Sequence, residues 1–238
     1  MPFLDFDTLV ISDNAYIDDT SAPACDIGSF MSFFHDLGIR NFCVLHAADP
    51  SATSLSHISG TCKQFTQQLI HSKPRGSSVH VACDVHLSPS VLTNPAINKL
   101  CFPHSQALFL QTPPFADGSW LDSDLKHLVY KQNIRPIFSS FERMLITCEP
   151  SFCSALMRIR GAAFCIDINY MVNPSFESVM RKAISDNIAI IPCVSNQLYA
   201  YSGIVERFSD LSNLLGRPTY LQLCRHISAS CKTVLSQR

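Results

Sequence analysis

Residues 135–167 read RPIFSSFERMLITCEPSFCSALMRIRGAAFCID, and this stretch decides the fold class. It begins and ends with short runs, 135–139 and 163–167, that are apolar almost throughout, and a segment of helical period, 151–159, lies between them. Short strands that are apolar on both faces are typical of a parallel sheet covered on both sides. The stretch therefore predicts a strand–helix–strand unit whose two strands are parallel.

The same alternation extends over the whole chain. Further apolar runs predict strands at 8–12, 41–45, 79–83, 107–111 and 188–193. Segments of helical period predict helices at 27–37, 57–71, 121–132, 175–186, 204–215 and 218–235, with Asp122 and Ser175 as N-caps. Seven strand–helix units without a linker predict one domain, residues 1–238, folded as a distorted TIM-like (β/α)7 barrel. A doubly wound seven-stranded sheet is the competing α/β fold, and periodicity alone does not separate the two.

Composition limits the partners and the compartment. The chain has 238 residues, 47% of them hydrophobic, which is enough for a large core. The 18 Lys and Arg residues nearly balance the 19 Asp and Glu residues, so nothing indicates nucleic acid or an anionic membrane as a partner. Asp5 and Asp7 stand where a signal peptide would be apolar, and no apolar run approaches the ~20 residues of a membrane helix. We therefore expect a cytoplasmic protein without membrane insertion.

The cysteines point to the same compartment. There are eleven of them, none spaced as CxxC, so neither a zinc ribbon nor a thioredoxin-type site is expected. Several lie within apolar runs, where cysteine acts as a small core residue. We expect unpaired thiols in a reducing environment.

Several segments, in order, resemble one known family. Asp18-Asp19 followed by the helix ending at Gly38 is similar to an "HxH…DDG" opening, and residues 107–113, ALFLQTP, are similar to "YLLIELP". Residues 133–143, NIRPIFSSFER, are similar to "GxxPIIAHPER", residues 161–169, GAAFCIDIN, to "GALxQIN", and residues 187–196, NIAIIPCVSN, take the place of "VHFIASDAH". These motifs belong to the PHP (polymerase and histidinol phosphatase) family, in its branch of metal-dependent protein-tyrosine phosphatases from capsule-polysaccharide loci. The resemblance covers nearly the whole chain and implies the PHP barrel.

In that family, His, Asp and Glu at the strand ends hold two or three divalent metals, which bind the phosphate and activate a water. Carried over by the resemblance, the ligand positions fall on Val10, Ser12, Ala47, Asp84, Gln111, Ser140, Val194 and Asn196. Asp84 alone keeps an acidic ligand there, and no family histidine remains, although His46 adjoins Ala47. The resemblance therefore implies a degenerate metal site, for which we expect no cofactor.

The candidate catalytic or binding residues that survive are Asp19, Asp84, Glu142 and Arg143. Arg143 is the best phosphate contact, since a guanidinium can bind an oxyanion through two parallel hydrogen bonds. Scaffold roles are open for the same residues. Asp18 and Asp19 are also typical of a helix cap or a turn, Asp84 of a loop carboxylate, and Glu142 with Arg143 of a structural ion pair.

Three hypotheses about function follow. The leading one is a non-catalytic binding or regulatory protein whose partner is a tyrosine kinase or another phosphotyrosine segment of a capsule or exopolysaccharide system. In this hypothesis, Glu142 or Asp84 neutralises Arg143, so the remaining pocket binds neither phosphate nor phosphopeptide, and the partner binds the outer helices. The alternative is an active phosphoesterase that uses Mn²⁺ or Mg²⁺ on Asp19, Asp84, Glu142 and His46. The third is a structural subunit that uses only its surface. The sequence leaves open whether the protein is an enzyme.

Overall fold

Seven parallel strands form a closed barrel in chain order. The computed structural model describes residues 6–12, 27–50, 53–102, 105–112, 121–195 and 203–235, with the side chains of 121, 122 and 195 left out. The strands are β1 (Thr8–Ser12), β2 (Asn41–Ala48), β3 (Ser78–His86), β4 (Ala107–Gln111), β5 (Arg135–Ser139), β6 (Ala163–Asp167) and β7 (Ala189–Ser195). Val10 of β1 pairs with Cys43 of β2 on one side and with Cys193 of β7 on the other. This closure confirms the (β/α)7 barrel and rules out the open doubly wound sheet.

Helices surround the barrel. They are α1 (Ile27–Asp36), α2 (Leu55–Ser72), α3 (Pro89–Leu92), α4 (Leu121–Lys126), α5 (Phe141–Thr147), α6 (Pro150–Leu156), α7 (Ile168–Met171), α8 (Glu177–Ser185), α9 (Ile204–Leu215) and α10 (Arg217–Leu235). A π-helical turn, His127–Lys131, continues α4, and 3-10 turns span Ile97–Leu100 and Pro174–Phe176. Among the described helices, none is both long and apolar enough to cross a bilayer.

The predicted strands are all present, but the helix predictions were incomplete. The sequence reading missed α3, α5 and α7, whose four, seven and four residues are too few to show a helical repeat. Both predicted N-caps were wrong. Asn173 accepts the backbone N–H of Ser175 at 3.0 Å, so the cap lies two residues earlier than predicted. Leu121 already belongs to α4, which places Asp122 inside the helix.

The strand register fixes which side chains point into the barrel. Successive side chains of a strand alternate between the two faces, and residues paired across parallel strands share a face. The Sγ of Cys83 lies 3.2 Å from the Sγ of Cys62 in α2, so Cys83 faces the helices and its neighbour Asp84 faces the interior. The ring of His46 lies 6.3 Å from that of Phe65 in α2, which places His46 on the outer face as well.

Small thiols fill part of the interior. Cys43, Cys165 and Cys193 lie on the inner face by register and are almost fully buried. Burial raises the thiol pKa of each of them, and the charge of Asp84 adds to the effect. None of the ten cysteines in the described part of the chain forms a disulfide, in agreement with the prediction of thiols, and Cys25 lies outside that part.

An aromatic layer joins the barrel to α5. The rings of Phe138 in β5 and Phe164 in β6 are stacked with centroids 5.4 Å apart, and the ring of Phe141 in α5 lies 4.3 Å from that of Phe164. All three side chains are at most 1% exposed. Phe164 therefore holds the start of α5 against the barrel, and α5 carries one of the candidate site residues.

We expect Phe164→Ala to lower the free energy of unfolding by about 3–5 kcal/mol, because it removes a fully buried ring and leaves a cavity. Denaturant unfolding followed by circular dichroism measures the loss. The control is Ile146→Ala in α5, where the side chain is 63% exposed and the expected change is within about 0.5 kcal/mol. Equal losses in the two variants would contradict the role given to this layer.

Candidate functional site

Three buried carboxylates mark the end of the barrel at which the strands finish. Asp84 is near the end of β3, Asp167 is the last residue of β6, and Glu142 is in the first turn of α5, directly after β5. Their exposed fractions are 5%, 8% and 5%. The carboxyl ends of parallel strands form one face of a barrel, where ligands bind. We call this set of three residues, together with Ser139, the mouth.

Asp84 is tied to the barrel by a hydrogen bond that crosses its interior. The Oγ of Ser139 donates to Oδ1 of Asp84 at 2.7 Å and also lies 3.2 Å from the carbonyl oxygen of Leu110. Because β4 lies between β3 and β5, the Asp84 and Ser139 side chains can meet only inside the barrel. Burial raises the pKa of Asp84 to about 6, and the hydrogen bond from Ser139 opposes part of that rise.

Glu142 reaches the mouth from a sharp turn. Ser140 has a left-handed backbone with φ of 52°, and α5 begins at the next residue. The Oε2 of Glu142 accepts the backbone N–H of Asp167 at 3.2 Å, which links α5 to the end of β6. Burial raises the pKa of Glu142 to about 7. The N–H bond lowers that pKa, the charge of Asp167 raises it, and the charge of Arg143 lowers it least.

Asp167 is the site residue that the sequence reading missed. Its Oδ1 accepts the backbone N–H of Asn169 at 2.8 Å and thereby begins α7. The Oδ1 of Asn169 in turn accepts a hydrogen bond from Nη1 of Arg207 in α9 at 2.6 Å, so Arg207 lies next to the start of α7. The sequence feature that could have identified Asp167 is a carboxylate at the last position of a predicted strand. It lies two residues after Cys165 and therefore on the same face of that strand.

Arg143 is exposed and lies beside Glu142 in sequence. Within the described part of the chain, it forms no salt bridge with Glu142, Asp84 or any other carboxylate. The structural ion pair considered for Glu142 and Arg143 is therefore absent. Pairing with Glu142 or Asp84 does not neutralise the guanidinium.

The other positions that the resemblance gives as metal ligands lie partly on the inner face of the barrel and partly on its outer face. Val10, Ser12 and Ala47 are on the inner face, since Val10 pairs with Cys43 and Ala47 with Asp84, and Gln111 ends β4. Val194 pairs with Ile11, which alternates with Val10, so Val194 faces the helices.

Ser139 contacts Asp84 from β5, while Ser140 forms the turn after it. His46 is on the outer face, away from Asp84. Asp18, Asp19 and Asn196 lie outside the described residues.

The number and the present hydrogen bonds of the side chains at the mouth show whether they could bind divalent metals. Among the described residues, no three His, Cys, Asp or Glu side chains are grouped closely enough to hold an ion. Asp84 already accepts a hydroxyl and Glu142 a backbone N–H. A cluster of two or three dications needs several anionic or imidazole ligands around each ion. The described residues therefore do not fit such a cluster.

Comparison with solved structures gives a likeness in fold. The chain matches a crystal structure from work on YwqE from Bacillus subtilis and CpsB from Streptococcus pneumoniae, both metal-dependent tyrosine phosphatases. The TM-score is 0.70 and the identity 12%, over 97% of this chain and 95% of that one. Dihydrodipicolinate synthase from Bacillus clausii also matches, with a TM-score of 0.46 and 12% identity over 94% of this chain and 78% of that one. No protein-family model and no curated protein sequence matches. The chain thus shares the barrel of the metal-dependent tyrosine phosphatases.

The free energy of unfolding should increase as the pH falls from 8 to 5.5. The pKa values of Glu142 and Asp84 are about 7 and about 6 in the folded state, above the values of 4.5 and 3.8 that these side chains have in water. The folded state therefore binds more protons in this window, and stability is lost as the pH rises through it. Glu142→Gln removes one buried charge and should add on the order of 2–3 kcal/mol at pH 8 while flattening the profile.

Urea unfolding at several pH values checks this expectation. The control is Glu206→Gln, since Glu206 is an exposed carboxylate in α9, and its variant should keep the wild-type profile. A Glu142→Gln profile as steep as that of the wild type, without added stability at pH 8, would contradict the raised pKa.

Proposed function

We propose that the protein is a degenerate relative of the metal-dependent tyrosine phosphatases and acts by binding, as a regulatory protein, without catalysis. The Asp84–Ser139 hydrogen bond carries the proposal, because it satisfies inside the barrel a carboxylate that would otherwise be available to a metal. The shared barrel supports the relationship. The poor fit of the described donor set to a metal cluster supports the loss of catalysis.

The ligand that we propose is a phosphotyrosine segment of a protein partner, such as a tyrosine kinase of a capsule or exopolysaccharide system. Arg143 is exposed in α5, next to Glu142 in sequence, and forms no salt bridge with a described carboxylate, so its guanidinium is available to an oxyanion. Glu142, with a pKa of about 7, carries only part of its charge at neutral pH, which reduces the repulsion of a phosphate. The kinase and its pathway rest on the sequence resemblance.

The competing function is an active phosphoesterase with an altered metal site. It is favoured by the presence of three carboxylates at one end of the barrel. Asp84 and Glu142 both raise the thiol pKa of Cys165, and Asp167 joins them in raising that of Cys193, so the three charges share one region. Asp167 would then replace His46, which lies on the outer face. This function predicts Mn²⁺ or Mg²⁺ as the cofactor.

Metal content and phosphatase activity distinguish the two functions. Protein purified without added metal should contain no stoichiometric transition metal by elemental analysis. With Mn²⁺ or Mg²⁺ supplied, it should hydrolyse p-nitrophenyl phosphate no faster than the Asp84→Asn variant does. Two or more metal ions per chain that resist mild chelation, or activity that disappears in Asp84→Asn, would contradict the proposal and support the enzyme.

A phosphotyrosine peptide should bind with a Kd on the order of 100 μM, and Arg143→Ala should weaken binding by about tenfold or more, since it removes the phosphate contact. Titration calorimetry measures both values. Arg75→Ala is the control, because Arg75 is an exposed arginine in the turn before β3, and the unphosphorylated peptide is a second control. Binding that is absent, or that is the same in Arg143→Ala, would move the partner site to the outer helices.

A further inference from the structure

A large basic cavity lies at the opposite end of the barrel from the mouth. Its volume is about 1190 Å³, and it is surrounded by the starts of β5, β6 and β7 and by the last turns of α10. Arg135 is the first residue of β5, Gly161 and Ala162 precede β6, and Ala189 begins β7. Parallel strands start at one end of a barrel and finish at the other, so this cavity is separate from the site of Asp84 and Glu142.

The lining of this cavity is strongly positive. Its charged side chains are Arg135, Arg158, Arg160, Lys182 and Asp186. Asp186, the single carboxylate among them, is already paired with Lys182 at 2.7 Å. Three arginines therefore remain without a counter-charge in the cavity, in a chain whose net charge is -1. Like charges around one concave surface attract an anion that none of them would hold alone.

Two of these arginines are oriented by main-chain carbonyls. Nη1 of Arg135 donates to the carbonyl oxygen of Thr233 in α10 at 3.2 Å, and Nε of Arg158 donates to that of Ser154 in α6 at 3.2 Å. A guanidinium has five N–H donors, so most remain available in both cases. In the described part of the chain, neither of them nor Arg160 forms a salt bridge. Oriented guanidinium groups with spare donors are suited to phosphate oxygens.

We propose that this cavity binds a small polyanion that carries two or more phosphate groups. A single inorganic phosphate would fill little of 1190 Å³, whereas the cations are spread over β5, the segment between α6 and β6, and α8. Nucleic acid is disfavoured, because the positive charge is confined to one recess of a chain with nearly balanced charge. Tyr130, which is 63% exposed, also lines the cavity and offers a ring on which a nucleobase can stack.

The test uses tripolyphosphate as the probe and the intact chain. We expect saturable binding in titration calorimetry that weakens as salt is added. The double variant Arg158→Glu, Arg160→Glu should weaken it by about tenfold or more, because it converts two attractive charges into repulsive ones. Both side chains are exposed, so the fold should be retained, which thermal unfolding verifies. Arg75→Glu has one of the same charge changes outside the cavity and should bind nearly as the wild type does.

Two further experiments identify the class of ligand and distinguish binding in this cavity from binding at the mouth. ATP that binds more tightly than tripolyphosphate, with the gain lost in Tyr130→Ala, would identify a nucleotide; equal binding would identify an oligophosphate. Arg143→Ala should bind tripolyphosphate as the wild type does. The proposal is overturned by the absence of tripolyphosphate binding, by binding that survives the double variant, or by loss in Arg143→Ala instead. An acidic peptide or RNA that binds through these arginines while tripolyphosphate does not would also overturn it.

Discussion

Closure of the barrel between β1 and β7 is the constraint on which the rest of the structure depends. Val10 must pair with Cys43 and Cys193 at once, and this fixes the alternation of inner and outer residues in all seven strands. The inner face then has to be filled by side chains that fit a narrow space. Cysteine is a small, apolar and well-buried residue, and Cys43, Cys165 and Cys193 serve this purpose. Packing of the barrel interior therefore explains the choice of cysteine at these three positions.

The same alternation decides which of the positions aligned with the family's metal ligands face the interior. A shift of one residue moves a side chain to the other face of the sheet. Val194 therefore faces the helices, while Cys193 faces the interior, and His46 packs against Phe65 in α2 while Ala47 shares the face of Asp84. The histidine nearest to these positions, His46, therefore lies on the outer face, away from Asp84.

The strands could be predicted from sequence because each is a short apolar run bounded by polar residues. Their facing could not, since buried parallel strands are apolar on both sides and show no alternation to read. Alignment with the family motifs gave Ser140 and Val194 as ligand positions, whereas Ser139 and Cys193 have the inner position. Asp84 and Glu142 were found through the family motifs. Asp167 was not, because its contribution depends on the N–H that it offers to Glu142, a contact 25 residues apart in sequence.

The two ends of the barrel differ in charge, and this follows from where each polar group obtains its partner. At the mouth, Asp84 and Glu142 are buried and are satisfied by neutral donors, Ser139 and a backbone N–H. Neutral donors offset only part of the cost of burying a carboxylate, so the pKa values rise and the mouth carries less negative charge at neutral pH than its residues suggest. At the opposite end, Arg135 and Arg158 donate to carbonyl oxygens and keep their full charge. The cavity at that end is therefore the stronger attractor for anions.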